Sequence, residues 1–363
     1  MEITFITLQD ISRDGRIRFA SQSIEDIIGW KPEEVTNKSV WEFIHPDDVA
    51  KGLAVYEENL HHDGAARLDY FRVRHKQGHW VRCETLSTVV YNVMVASTTI
   101  YSGGPASAQR AADAAVVGKF FVSKRDPEYH ILSTISRAFS HTPSLTSPEP
   151  RAAMILNRFT RLSTIIYATS NTAALLGVPP AQLLSKSFYY CVEECCLRDA
   201  IQCIESSKAS DSVAYLRFWF RNPVDDNLEG DQGSTAQGDT SDDDHSPVST
   251  RSSAQDSLFS IPPARDSRAG GACPVEVEAV VSCSSDGLIV VLRRAAGPVP
   301  ENVQQSGHPV YVPSSRPSSA GSSQLGGNSK PLPTNLGGPD VEALVASIRQ
   351  ATLFGMGKKT TRT

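Results

Sequence analysis

No stretch of this sequence approaches the roughly 18 consecutive apolar residues that a membrane-spanning helix needs. The N-terminal run MEITFITLQDISRDG has no basic leader, and Thr4, Thr7, Gln9 and Asp10 break its apolar character, so it does not read as a secretory signal. Charge of one sign is also lacking: the formal net charge is −5, which exerts no general pull on nucleic acid or anionic lipid. Cysteine is sparse, with seven in 363 residues, and an odd number without an export signal points to free thiols in a reducing compartment. GxSxG, HExxH and the P-loop are all absent, which removes the usual motif grounds for nucleophilic, zinc-hydrolytic or nucleotide chemistry. The expectation is a soluble intracellular protein, nuclear or cytoplasmic, that is not an enzyme and contacts neither membrane nor nucleic acid directly.

What is present divides by composition. Residues 1–103 mix apolar and polar positions with ordinary turn spacing. PASAQRAADAAVV, residues 105–117, has helical propensity and is expected to end at Gly118, within a connecting segment 104–150 that closes on the Pro/Ser stretch HTPSLTSPEP. A second globular pattern covers 151–295. Inside it, 223–272 carries many acidic residues with Ser, Gly and Pro, too little apolar surface to offset the entropy of ordering. Apolar alternation resumes directly in PVEVEAVVSC and GLIVVLRR, so the acidic segment reads as a disordered insertion between two strands. Residues 296–363 read as a disordered tail, with one amphipathic helix at 340–353 that places Val341, Leu344, Val345 and Ile348 on one stripe behind Asp340.

Both globular pieces offer two strands, a run of helices and three further strands, an α+β pattern with an antiparallel sheet. In the first, strands are expected at Phe5–Leu8 and Arg16–Phe19 and helices at Ser23–Ile28 and Asp47–Leu60, with strands near 66–76, 79–91 and 93–101. In the second, strands are expected at Ala153–Arg158 and Ser163–Ala168 and helices at Thr172–Leu176 and roughly 194–206, with strands near 212–221, 275–283 and 287–293. Having the pattern twice makes a tandem repeat the economical reading.

ISRDGRIRFASQSIEDIIGWKPEEVTNKSVWEFIHPDDV resembles the first half of a PAS domain, and DYFRVRHKQGHWVRCE resembles the PAS hairpin after its long helix. TIIYATSNTAALLGVPPAQLLSKSFYYCV, AYLRFWF and VEVEAVV repeat the order, and FFVSKRDPEYHILSTISRAF with RAAMILNRFTR is similar to fungal white-collar-type PAS regulators. The resemblance implies two five-stranded antiparallel sheets with helices over one face, each enclosing a space that a ligand or side chains fill. It also implies dimerisation with another PAS protein in signalling or transcriptional regulation. Flavin-photosensing members carry a reactive cysteine after the PEE/PAQ turn, where this chain has Val40 and Phe188. Cysteinyl photochemistry is therefore not expected. No cofactor is predicted; a flavin or another small ligand, without that chemistry, is the alternative reading. No zinc finger of the GATA type accompanies the PAS pattern.

Four of the seven cysteines, Cys191, Cys195, Cys196 and Cys203, crowd into one short segment. At about 100° per residue, Cys196 and Cys203 extend the apolar stripe of a helix while Cys195 turns to the polar side. No CxxC pair or nearby histidine is present, so core packing is expected and no metal. His45-Pro46-Asp47-Asp48 reads as a helix start capped by Asp47 or Asp48, and His61-His62-Asp63-Gly64 as a helix end with its polar side chains in solvent. Period-two alternation in the later strands turns one set of residues toward the helices. With Trp41, Phe43, Phe188 and Tyr190, the inward Phe71, Val73, Phe218 and Phe220 are the candidate cavity-lining residues. Trp219, on the other set, is the candidate interface anchor, together with the stripe of the 340–353 helix.

Overall fold

The computed structural model describes residues 2–126, 148–223, 275–295 and 309–312. The first sheet has the order β2-β1-β5-β4-β3, built from β1 (Thr4–Asp10), β2 (Ile17–Ala20), β3 (Arg67–Arg74), β4 (Trp80–Val90) and β5 (Val93–Ile100). Between β2 and β3 lie α1 (Ile24–Ile28), α2 (Pro32–Val35), a 3-10 turn (Val40–Glu42) and α3 (Pro46–His61). Then α4 (Pro105–Phe120) leads to the second sheet, from β6 (Arg151–Leu156), β7 (Ile165–Ala168), β8 (Val213–Phe220), β9 (Val275–Cys283) and β10 (Leu288–Arg294). Its helices are α5 (Thr172–Leu176), α6 (Pro180–Leu183) and α7 (Leu197–Ser210), and a short β11 (Val310–Tyr311) joins its edge. The second sheet runs β7-β6-β10-β9-β8-β11, so its first five strands repeat the order of the first sheet.

The repeat extends to local chemistry. Gly29 and Gly177 both end their helix at φ +73 and +75, a left-handed conformation that glycine takes at no steric cost. Ser39 and Ser187 each accept a hydrogen bond from the backbone N–H two residues on, which opens the following 3-10 turn, and each donates back to a turn carbonyl, of Asp14 and Leu162. Both first strands shift register at the same place, after Leu8 and after Ile155. Strands β8 and β9, which flank residues 224–274 in the chain, pair directly from Val213–Ser282 to Phe220–Val275. The acidic segment and the 340–353 helix, with Val341, Leu344, Val345 and Ile348, lie outside the described residues.

Three expectations are corrected. α4 does not stop at Gly118 but runs through it to Phe120. Gly118 sits inside the helix, where a Cβ would make only ordinary contact with the Ala65 carbonyl at 3.5 Å, so it neither ends the helix nor is demanded by packing. The long helix α3 is capped by His45, whose Nδ1 accepts from Asp47 N–H at 3.2 Å. Asp48 is instead held by Arg72, which donates from its backbone N–H at 3.0 Å and from Nε and Nη2 at 2.9 and 2.7 Å. That hydrogen bonding holds the Asp48 carboxyl at about 2. Asp63 is not in solvent either. It is buried, accepting from Ser123 Oγ, Arg125 Nη1 and the Glu149 N–H.

Candidate functional site

Inside the first unit, between sheet and helices, is a cavity of about 100 Å³. Trp41, Phe43, Phe71 and Val73, all expected from the alternation, line it, and so does Val40. Gly52 of α3 makes room for two of them: a Cβ there would stand 2.9 Å from the Trp41 ring and 3.3 Å from Phe71. The Trp41 indole is fixed by donating to the Arg13 carbonyl at 2.9 Å. Tyr56 closes one end, donating to the carbonyls of Asp10 at 2.7 Å and Ser12 at 2.9 Å.

The sheet side of the cavity also carries polar residues, beside Phe5, Phe71, Val73, Met94 and Ala96, a feature that sequence reasoning missed. Thr7, Gln9, Asp69, Thr85, Ser87 and Thr98 all face the cavity from the sheet. Gln9 Nε2 donates to Thr7 at 3.2 Å, and Asn59 Nδ2 donates to Ser87 at 3.2 Å. Burial raises the Asp69 carboxyl above its ordinary range, against the pull of Arg67 and Lys51. Strand register places Met154, Leu156, Leu216, Ala279, Val281 and Leu292 at the corresponding six positions of the second unit. All six belong to a continuous apolar core with Phe188, Phe218 and Phe220, against which Tyr190 packs. Phe188 and Phe218 meet edge to face at 5.7 Å. The two copies of one fold thus differ: the first keeps a largely apolar space with six polar side chains on its sheet side, and the second presents an aliphatic and aromatic interior.

The cysteines belong to that second core. Cys191, Cys196 and Cys203 are fully buried, while Cys195 is exposed. Burial pushes the Cys191 and Cys196 thiols up to about 12, which leaves almost no thiolate at neutral pH. Among the described residues, no group of three or more His, Cys, Asp or Glu side chains could hold a metal ion. Trp219 is 8 % exposed and clusters with the same core, so the ring is not a surface anchor. The reason is local: its carbonyl accepts from Glu193 N–H at 2.9 Å, so the segment before α7 lies along this end of β8.

The outer faces of the sheets are buried too. Ile6, Leu8, Val90 and Val95 of the first sheet form one apolar cluster with Ala114, Val117 and Phe121 from α4 and its end, and with Ala153, Ile155, Val213, Tyr215, Val280, Ile289 and Val291 of the second. At its margin, Phe121 is sandwiched by two buried arginines, with guanidinium carbons 4.2 Å (Arg293) and 4.9 Å (Arg151) from its ring centre. Arg293 donates to Glu278 at 2.7 Å and to the Val122 carbonyl at 2.7 Å, placing a cation at the negative end of α4. Arg151 donates to Glu149 at 2.8 Å and to the Val89 carbonyl of the first sheet at 2.9 Å. Burial alone would raise the Glu149 carboxyl, but the Arg151 and Arg293 charges outweigh it and hold it below the ordinary range.

Residues 17–94 match the family described as the PAS fold. White collar 2 protein of Neurospora crassa is 36% identical over 76 residues, 21% of this chain and 14% of that protein. Hypoxia-inducible factor 1-alpha of Oncorhynchus mykiss is 32% identical over 79 residues, 22% of this chain and 10% of that protein. Among solved structures, the PAS-B domain of Drosophila melanogaster Cycle with bound ethylene glycol is 18% identical, covering 27% of this chain and 99% of that one at a TM-score of 0.24. The match to the PAS fold thus covers one stretch of the chain, residues 17–94. That stretch is similar to parts of White collar 2 protein and of hypoxia-inducible factor 1-alpha, and the match spans a small part of the length of each curated relative. Among the described residues no helix is long and apolar enough to cross a membrane.

Proposed function

We propose that this chain is an intracellular regulatory module in signal transduction or transcription, acting by association with another PAS protein rather than by catalysis. The observation that carries this reading is the use the chain makes of its sheets. The outer faces, apolar and large, bind protein: here each covers the other through α4. Association with a further chain must then use other surfaces. The outermost strands β2 and β7 offer exposed Phe19, Ile166 and Tyr167, with Phe159 in the turn before β7 at 75 % exposure. Phe19 and Phe159 line one surface depression together with Pro32, and it is contiguous exposed apolar surface of this kind, rather than a single exposed side chain, that marks contact sites.

A second reading, a small-ligand receptor without cysteinyl chemistry, is favoured by the polar side chains on the sheet side of the first cavity. Its volume of about 100 Å³ is well below the roughly 300–1,000 Å³ of drug-sized pockets, so only a molecule of a few heavy atoms fits without expansion. Light scattering and native mass spectrometry on one preparation of the full chain test both readings. A mass above one chain that falls to one chain in Ile166→Asp/Tyr167→Asp supports association. A chain that stays single at every concentration, alone and with a PAS protein added, sinks it. A small molecule retained by the wild type and lost in Gln9→Leu/Asp69→Leu supports the receptor reading.

A further inference from the structure

The second sheet departs from the first at one edge. In the first sheet β3 ends the order; in the second, the corresponding β8 is followed by β11. This extra strand pairs in parallel, Val310 opposite Tyr215 and Tyr311 opposite Leu216, and Tyr215 N–H donates to the Pro309 carbonyl at 2.8 Å. It is therefore an added peptide, not the return of a hairpin. Its side chains alternate between two cores. Val310 and Val312 pack on the cluster between the units, as Phe120 does, and Tyr311 packs on the second core. The rest of this edge is in use near its far end, where Glu193 N–H meets the Trp219 carbonyl and Val192 bridges Phe220.

We propose that the β8 edge is a docking site for an extended peptide, and that residues 309–312 occupy it in cis as an exchangeable strap. The occupant it fits in trans is a segment of a partner protein in which a proline precedes an aliphatic, an aromatic and an aliphatic residue. Backbone pairing supplies the hold and the two alternating sockets supply the selection, as in strand addition generally. The case for exchange lies in the small size of the strap's own contact. Two paired residues in a parallel ladder and three half-buried side chains make a weak contact, which its covalent tether sustains by high local concentration. A partner segment competes against that local concentration, so the strap sets a threshold for docking. Because Val310 and Val312 touch the cluster on α4, exchange at this edge is felt at the junction of the two units.

The test uses the full chain and a fluorescein-labelled peptide, Gly-His-Pro-Val-Tyr-Val-Pro. Val310→Asp/Val312→Asp, which puts charges into the apolar sockets, should bind this peptide about tenfold or more tightly than the wild type, the tethered competitor having been removed. A peptide carrying Asp in place of Tyr should not bind. In hydrogen exchange the Tyr215 amide should be slow in the wild type, fast in the variant and slow again with peptide. Tyr311→Ala, which empties one socket and keeps the backbone, is the milder variant, and its peptide affinity should rise in the same direction. Equal affinity of variants and wild type for the peptide, or a Tyr215 amide that stays slow in both variants, overturns the proposal.

Discussion

Asp69 shows how one residue separates the two repeated units. At the matching register position the second unit has Leu216, and the Asp69 carboxyl instead faces a half-closed cavity. Burial raises its pKa, so the folded chain holds this proton more tightly than the unfolded chain does. The sign follows from proton linkage: where the folded state binds more protons, stability falls as pH rises through the folded value. Asp69→Asn keeps the shape and removes the titration. Its urea midpoint should exceed that of the wild type at about pH 7, and the two should converge at about pH 3, below the ordinary carboxylate pKa near 3.9. Equal midpoints at both pH values would show that Asp69 ionises freely in the fold. The polar residues on this side were on the page as single letters, Thr7, Gln9, Thr85 and Ser87. Alternation alone marks a face, however, and only the register of five strands shows that these letters share one wall. The burial of Trp219 is hidden for a related reason: period two separates it from Phe218 and Phe220, but the segment around Glu193 packs along this end of β8 and the ring joins the same core.

At the scale of elements, local rules predicted well and non-local contacts did not. The glycines that end α1 and α5, the serines that open the 3-10 turns, and the strand alternation are all decided within a few residues, and the repeated order of elements was legible from them. The end of α4 was not, since Arg293 donates to the carbonyl of its last residue, Phe120, at 3.3 Å from 173 residues away. Arg151, Glu278 and Arg293 look like solvent-facing letters in strands, yet all three are buried. The start of α1 has the same character. Ser23, its N-cap, makes no capping bond with its own side chain; instead its N–H donates to Asp286 Oδ2 at 3.3 Å and its hydroxyl to Asp286 Oδ1. Asp286 sits in the β9–β10 turn of the other unit, and the neighbouring Ser285 accepts from Thr4 N–H at 2.9 Å. One hairpin turn thus supplies a borrowed cap and a carboxylate at the positive end of a helix. Asp286→Ala should cost about 0.5–2 kcal/mol, the usual range for a lost cap, measured by urea denaturation. A loss within error, with Ser23→Ala equally silent, would show that the turn touches α1 without supporting it.

For the whole described molecule, the two repeated units can fold as two domains or as one. Tandem domains often meet through modest, polar contacts and move independently. Here the contact is a continuous apolar cluster with α4 between two sheet faces, and a buried charge network closes its margin. Such a network adds little net stability when intact, but breaking it costs about 3–5 kcal/mol because a charge is left buried without its partner. Phe121 is the joint of this arrangement: it ends α4, fills the apolar cluster and separates the two arginines. The chain should therefore unfold in one transition. Tryptophan emission, which reports mainly Trp30, Trp41 and Trp80 of the first unit, and thiol labelling of buried Cys203 in the second should share a urea midpoint. Phe121→Ala should lower stability by about 3–5 kcal/mol and part the two midpoints, the second unit outlasting the first because its interior is the fuller. Midpoints already apart in the wild type would mean that the sheet faces touch without coupling, and any signal received in the first cavity would then have to leave by another route than α4.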